Sequence, residues 1–245
     1  MDSVLGRPVR ARLLPLVGLG ALVAAAGLAA CAPGPQLRAP AGPAEAIAPA
    51  DFGGELYLID PEESEIHLLV YRTGALARLG HNHVIAARGF SGHVAFSTES
   101  GDSEVTLELP VSALEVDPQR LRAQYGEAFS SEPTVADVDG TRANMLGPAL
   151  LDAEAYPFIR ITGSLRGGAD RHSLEVSILV KETTARRDIA VALARSEERI
   201  VAEGSAELTH GELGLTPFSV MLGALQVADS FEVRLRIVAR RADDS

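Results

Sequence analysis

From Glu55 onward, apolar and polar residues alternate with a period of two. Ile66, Leu68 and Val70 alternate with Glu65, His67 and Leu69, and Val105, Leu107 and Leu109 with Glu104, Thr106 and Glu108. Leu174, Val176, Ile178 and Val180 alternate with Ser173, Glu175, Ser177 and Leu179; Ile189, Val191 and Leu193 follow, then Ile200, Ala202, Ala206 and Leu208. The last run is the clearest: Phe231, Val233, Leu235, Ile237 and Ala239 face one way, and Glu232, Arg234, Arg236 and Arg240 the other. Successive side chains of a strand point to opposite faces, so these runs predict antiparallel strands with one face buried and one in water. About eight to ten such strands, with turn residues such as Gly101-Asp102 and Gly167-Gly168 between them, predict a sandwich or a barrel.

The stretch Gly80–Phe96 decides between the two. Its halves read as strands broken near Gly89 and Gly92, and glycine within a strand pattern marks a bulge or close backbone approach, which lets a sheet bend enough to close. The reading is all-β: a closed antiparallel β-barrel. Pro118–Phe129 and Asp137–Leu151 break the alternation with helical spacing and polar faces. Asp117 before Pro118 predicts an N-cap followed by proline at the first helical position. These segments lie between strands, so they form a short helical insertion across one barrel opening.

Composition adds compartment and excludes some partners. Net charge is −11; Arg7, Arg10 and Arg12 against Asp2 give the first 30 residues +2, leaving −13 for the rest. That acidity argues against nucleic acid, which requires basic patches, and against electrostatic docking on anionic lipid. The single cysteine, Cys31, excludes an intramolecular disulfide and a zinc site built of several thiolates. It ends a segment, residues 1–31, with a basic start, an apolar run from Leu13 to Leu28 and small residues Ala29 and Ala30, which reads as a signal peptide. Leu28-Ala29-Ala30-Cys31 resembles the bacterial lipobox, whose cysteine is diacylated and becomes the new N-terminus. The resemblance implies a lipoprotein of a Gram-negative envelope facing the periplasm. Ala32 is not the aspartate that retains such proteins in the inner membrane, so the outer membrane is favoured. Residues 32–54, with Pro33, Pro35, Pro40, Pro43 and Pro49, read as an extended linker. Residues 55–241 form the barrel domain.

Over Leu56 to about Arg240 the chain resembles the YceI-like family of lipocalin-like periplasmic barrels associated with polyisoprenoid binding. The likeness rests on Tyr57-Leu58-Ile59-Asp60, on Leu79-Gly80 and Gly89-Phe90-Ser91-Gly92, and on Leu150-Leu151-Asp152-Ala153 with Tyr156-Pro157. Ser173–Leu193 and Phe218–Ala239 complete it. A true lipocalin is excluded, because its Gly-x-Trp start is impossible without tryptophan. Two departures stand out: His81-Asn82-His83 replaces other residues at the bend, and residues 130–140 read as an extra loop beside the helical cap.

The resemblance implies a binding protein, not an enzyme, that holds a polyprenyl or quinone tail. A homodimer is consistent with it. From the residues alone, the inward rows would equally fill a solid core; small residues at 202, 204, 206, 89 and 92 argue for spare room. Candidate ligand contacts are Val70, Val84, Phe90, Val176, Ile178 and Leu235 inside, with Phe218 and Met221 at the entry. The Gly211–Gln226 connection is apolar and glycine-bearing, which reads as a lid, an entry loop or a folded-back core loop. The alternative chemistry is a divalent metal or haem. His81 and His83 lie two apart, on one face of a strand, and His210 joins them as candidate ligand, with His67 and His93 as further options. The same histidines could instead hydrogen-bond the turn or grip the polar head of the isoprenoid. An envelope interaction module with an empty barrel is the remaining reading. No Gly-x-Ser-x-Gly motif is present, and no thiol remains after lipidation.

Overall fold

A computed structural model describes residues 54–97, 103–168 and 171–242. The leader, Cys31, the linker up to residue 53 and the Gly101-Asp102 turn lie outside the described residues. In chain order the elements are β1 (Gly54–Ile59), β2 (Glu65–Thr73), β3 (His83–Ala86), β4 (Ser91–Ser97), β5 (Ser103–Pro110), β6 (Glu115–Val116), α1 (Gln119–Arg122) and α2 (Val135–Leu146). There follow β7 (Phe158–Gly168), β8 (Arg171–Val180), β9 (Thr183–Arg195), β10 (Arg199–Thr209), β11 (Ser219–Val220) and β12 (Leu225–Arg241).

Eight strands close an antiparallel barrel in the order β1-β4-β5-β7-β8-β9-β10-β12. β12 returns to β1 through Tyr57↔Arg241, Leu58↔Arg240 and Ile59↔Ala239. β12 is long enough, at 17 residues, to serve two partners along one edge. Its last residues pair with β1, while Gln226 to Arg236 pair with β2, across a register shift between Val227 and Phe231. β2, β3 and β6 thus extend the wall beyond the closure, and β11 adds a short pairing to the start of β12.

The bend that the glycines predict is real. Gly89 adopts φ 60°. At Gly92 a Cβ would lie 2.1 Å from the Thr106 carbonyl oxygen, so any larger residue would force β4 off β5. Gly204 serves the same purpose rather than leaving room inside: a Cβ there would meet the Ala190 carbonyl at 2.8 Å.

The helical insertion departs from its prediction at both starts. Asp117 is not an N-cap. It adopts φ 53° and turns its carboxylate inward, and Pro118 caps α1 with no side-chain bond. α1 is a single turn, continued by 3-10 turns at Ala123–Tyr125 and Glu127–Phe129. α2 begins at Val135, because Thr134 and Asp137 form a reciprocal capping box, with Asp137 N–H to Thr134 Oγ1 at 3.2 Å and Thr134 N–H to Asp137 Oδ2 at 2.9 Å. Half of the expected loop 130–140 is therefore helix. α2 is held to the β5–β6 connection by Arg142, which donates to the Ser112 carbonyl at 2.7 Å and to that of Leu114. The α1 region packs elsewhere. Leu121 and Phe129 cover Leu69, Val84 and Ala86 on the outer face of β2 and β3, forming a second, smaller core.

Candidate functional site: an aliphatic cavity with a polar mouth

The barrel is hollow. A cavity of about 640 Å³ runs through it, within the range of small-molecule sites (about 300–1,000 Å³). Its wall is the inward set of the alternating rows, from Ile66, Leu68 and Val70 on β2 to Phe231, Val233 and Leu235 on β12. α2 and the turn after it cover one end, contributing Met145, Leu150 and Leu151.

Among the expected contacts, Val70, Val176, Ile178, Leu235 and Phe218 line this cavity. Val84, Phe90 and Met221 do not. Val84 falls on the outward side of β3, where the neighbouring Ile85 takes the inward place, and is buried instead in the second core. Phe90 belongs to the bend between β3 and β4, buried in the main core away from the wall. Met221 is 67% exposed at φ 52°, turned away by the left-handed backbone of Met221 and Leu222. The Gly211–Gln226 connection is part of the wall, through Leu213, Leu215, Thr216 and Phe218. Phe218 lines the cavity yet is 44% exposed, and the His81 side chain 30%, so the cavity reaches solvent on this side.

Polar residues gather at that mouth. Ile66, Leu68, Val70 and Arg72 continue one inward row of β2, Val70 pairs with His83, and His81 lines the same cavity just before β3 begins. The Arg72 guanidinium donates to the Gly80 carbonyl, and its amide donates to Asn82 Oδ1 at 3.0 Å. Gln226 pairs beside it with Thr73. α2 presents Asp137, Thr141 and Asn144 at helical i, i+4, i+7 spacing; Thr141 and Asn144 line the cavity, while Asp137 Oδ2 lies 3.8 Å from His81 Nε2.

His83 is fixed from behind. Its Nδ1 donates to Asp117 Oδ2 at 2.6 Å, and the same carboxylate takes the Val84 amide at 2.9 Å and the guanidinium of Arg122. Arg122 is itself anchored to the carbonyls of Asn82 (2.7 Å), Phe129 (3.0 Å) and Ser131 (2.8 Å). Burial works to raise the Asp117 pKa, but His83, the Val84 amide and Arg122 outweigh it and hold the carboxyl below its ordinary range. His83 lines the cavity.

His210 does not join this pair. Its Nδ1 donates to the Asp229 carbonyl at 2.8 Å and its ring packs 5.0 Å from Phe231. His93 is buried on β4, and His67 bonds the Tyr125 hydroxyl at 2.8 Å on the outer face. Among the described residues no three His, Cys, Asp or Glu side chains converge as a metal would require. Sequence reasoning missed Arg72, Asp117 as a buried anchor, and Arg122. Arg72 was within reach, as the next inward position after Val70. Arg122 carried no signal, because its carbonyl partners are Asn82, forty residues earlier, and Phe129 and Ser131 in the turns that follow it.

No family model matches the chain, and no curated protein does. Among solved structures, BcnA of Burkholderia cenocepacia superposes with a TM-score of 0.54 at 12% identity, over 74% of this chain and 98% of that one. The Campylobacter jejuni YCEI protein gives 0.43 at 8% identity, over 65% and 85%, and a mutant of the YCEI protein made for nanotechnology applications gives 0.46 at 8% over the same shares. The chain has the fold of BcnA, a closed antiparallel barrel.

Proposed function

We propose that the barrel holds a long apolar chain of isoprenoid type, a polyprenyl or quinone tail, without transforming it, while Cys31 anchors the protein to the periplasmic side of a bacterial membrane, the outer membrane favoured. The observation that carries this reading is the cavity itself: a largely aliphatic wall around about 640 Å³. Such a chain has no hydrogen-bonding groups along its length, so its affinity comes from apolar burial, roughly 25 cal/mol per Å² before ordering costs. No helix among the described residues is long and apolar enough to cross a membrane; attachment in this reading is through the lipidated cysteine.

Organic extraction of the full chain, purified from an envelope-bearing host, tests the ligand. One isoprenoid-type lipid per protein is expected in the extract by mass spectrometry, while acyl groups on Cys31 stay with the polypeptide. An empty extract, together with no uptake of added geranylgeraniol, would overturn the reading.

A further inference from the structure

We propose that Arg72, His81 and His83 form a head-group subsite, so that the amphiphile in the barrel carries an anionic oxygen head, a carboxylate or a phosphate. This deepens the apolar-chain reading and rests on it. Among the described residues, Arg72 is the only arginine or lysine on the cavity wall, in a chain of net charge −11. Eleven other arginines hold carboxylate partners. Arg72 forms no ion pair among the described residues; the Gly80 carbonyl takes one of its N–H groups and orients the fork. A guanidinium has five N–H donors and no acceptor, and its planar fork matches carboxylate and phosphate oxygens in pairs.

Arg72 is only partly buried, and at such a site an anion is attracted to a guanidinium more strongly than in bulk water. The nearby acids are already engaged. Asp117 belongs to Arg122 and His83, and Asp137 closes the capping box at Thr134. Arg72, His81 and His83 all line the cavity, and the His81 and His83 ring centroids are 6.4 Å apart. Asn144 and Gln226 add neutral amide donors at the same mouth. The row that begins as hydrocarbon at Ile66 thus ends in a cation at Arg72, the polarity profile of a chain with an anionic end.

Geranylgeranoic acid, geranylgeranyl phosphate and geranylgeraniol share one chain and differ in head. Equilibrium dialysis of the delipidated full chain is expected to show the two anions binding at least tenfold more tightly than the alcohol. Arg72→Met is expected to bring that ratio to about one; Arg72→Lys is expected to keep part of the preference. Equal binding of all three to the wild type, or a preference unchanged in Arg72→Met, overturns this inference alone. If none of the three binds, the apolar-chain reading fails and takes this one with it. The head-group series on the wild type decides the matter even if a variant does not fold. Comparison of the two anions separates a carboxylate from a phosphate source.

Discussion

Asp117 shows how much one residue holds in place. Its side chain is 1% exposed, and it gathers His83, the Val84 amide and Arg122 while sitting at φ 53°. Removing one partner of a buried pair leaves the other charge uncompensated, which costs about 3–5 kcal/mol. Asn tolerates positive φ, so Asp117→Asn removes charge with little backbone strain. Its urea denaturation at neutral pH is expected to show a loss of that size, and the α1 turn should loosen with it. The sign with pH follows from the depressed carboxyl. The unfolded chain binds this proton more tightly than the folded one, so the contribution is complete above the ordinary carboxylate range, about pH 4, and is lost as pH falls through the lower folded value. The gap between wild type and variant should therefore close in acid; a constant gap would mean that the carboxylate's charge is not what stabilises the turn.

At the scale of the element, the connection between β10 and β12 has two faces. Leu213, Leu215 and Phe218 lie on the cavity, whereas Met221 and Leu222 stand in solvent in left-handed backbone. Phe218 is half in each environment, so a charge there can reach water and should cost little stability. Phe218→Asp is expected to weaken geranylgeraniol uptake at least fivefold with a melting temperature close to wild type. Met221→Asp is expected to change neither, since Met221 is not on the wall. A matching fall in melting temperature for Phe218→Asp would assign the residue to the core rather than the entry.

For the whole molecule, the hollow interior separates stability from function. Solid cores lose stability when overfilled, by roughly 1–3 kcal/mol, but Ala202 faces open cavity. Ala202→Phe is expected to leave the urea midpoint of the ligand-free protein unchanged or higher. It should also remove the stabilisation that a bound chain adds, about 2.7 kcal/mol at a ligand concentration one hundred times Kd. A lowered midpoint without ligand would mean that the space is smaller than the cavity volume implies.

The sequence alone determined the strands and their inward faces. Alternation is a local property, and each row read from it, such as Val105-Leu107-Leu109 or Phe231 to Ala239, lies on the cavity wall. It also located the bend at Gly89 and Gly92 and the existence of a helical cover. Register and long-range closure were decided only in three dimensions. A one-residue choice put Val84 outside and Ile85 inside. The positive φ of Asp117 turned an expected cap into a buried anchor, and Gly204 proved to be a point of strand contact, not spare room. The mouth, lined by Arg72, His81, His83 and Asn144, joins β2 and β3, which are close in sequence, with α2, which lies about sixty residues further on. Nothing in their local sequence encodes that meeting, because it is set by the pairing of β2 with β12 and β3 and by the packing of α2 over the barrel end.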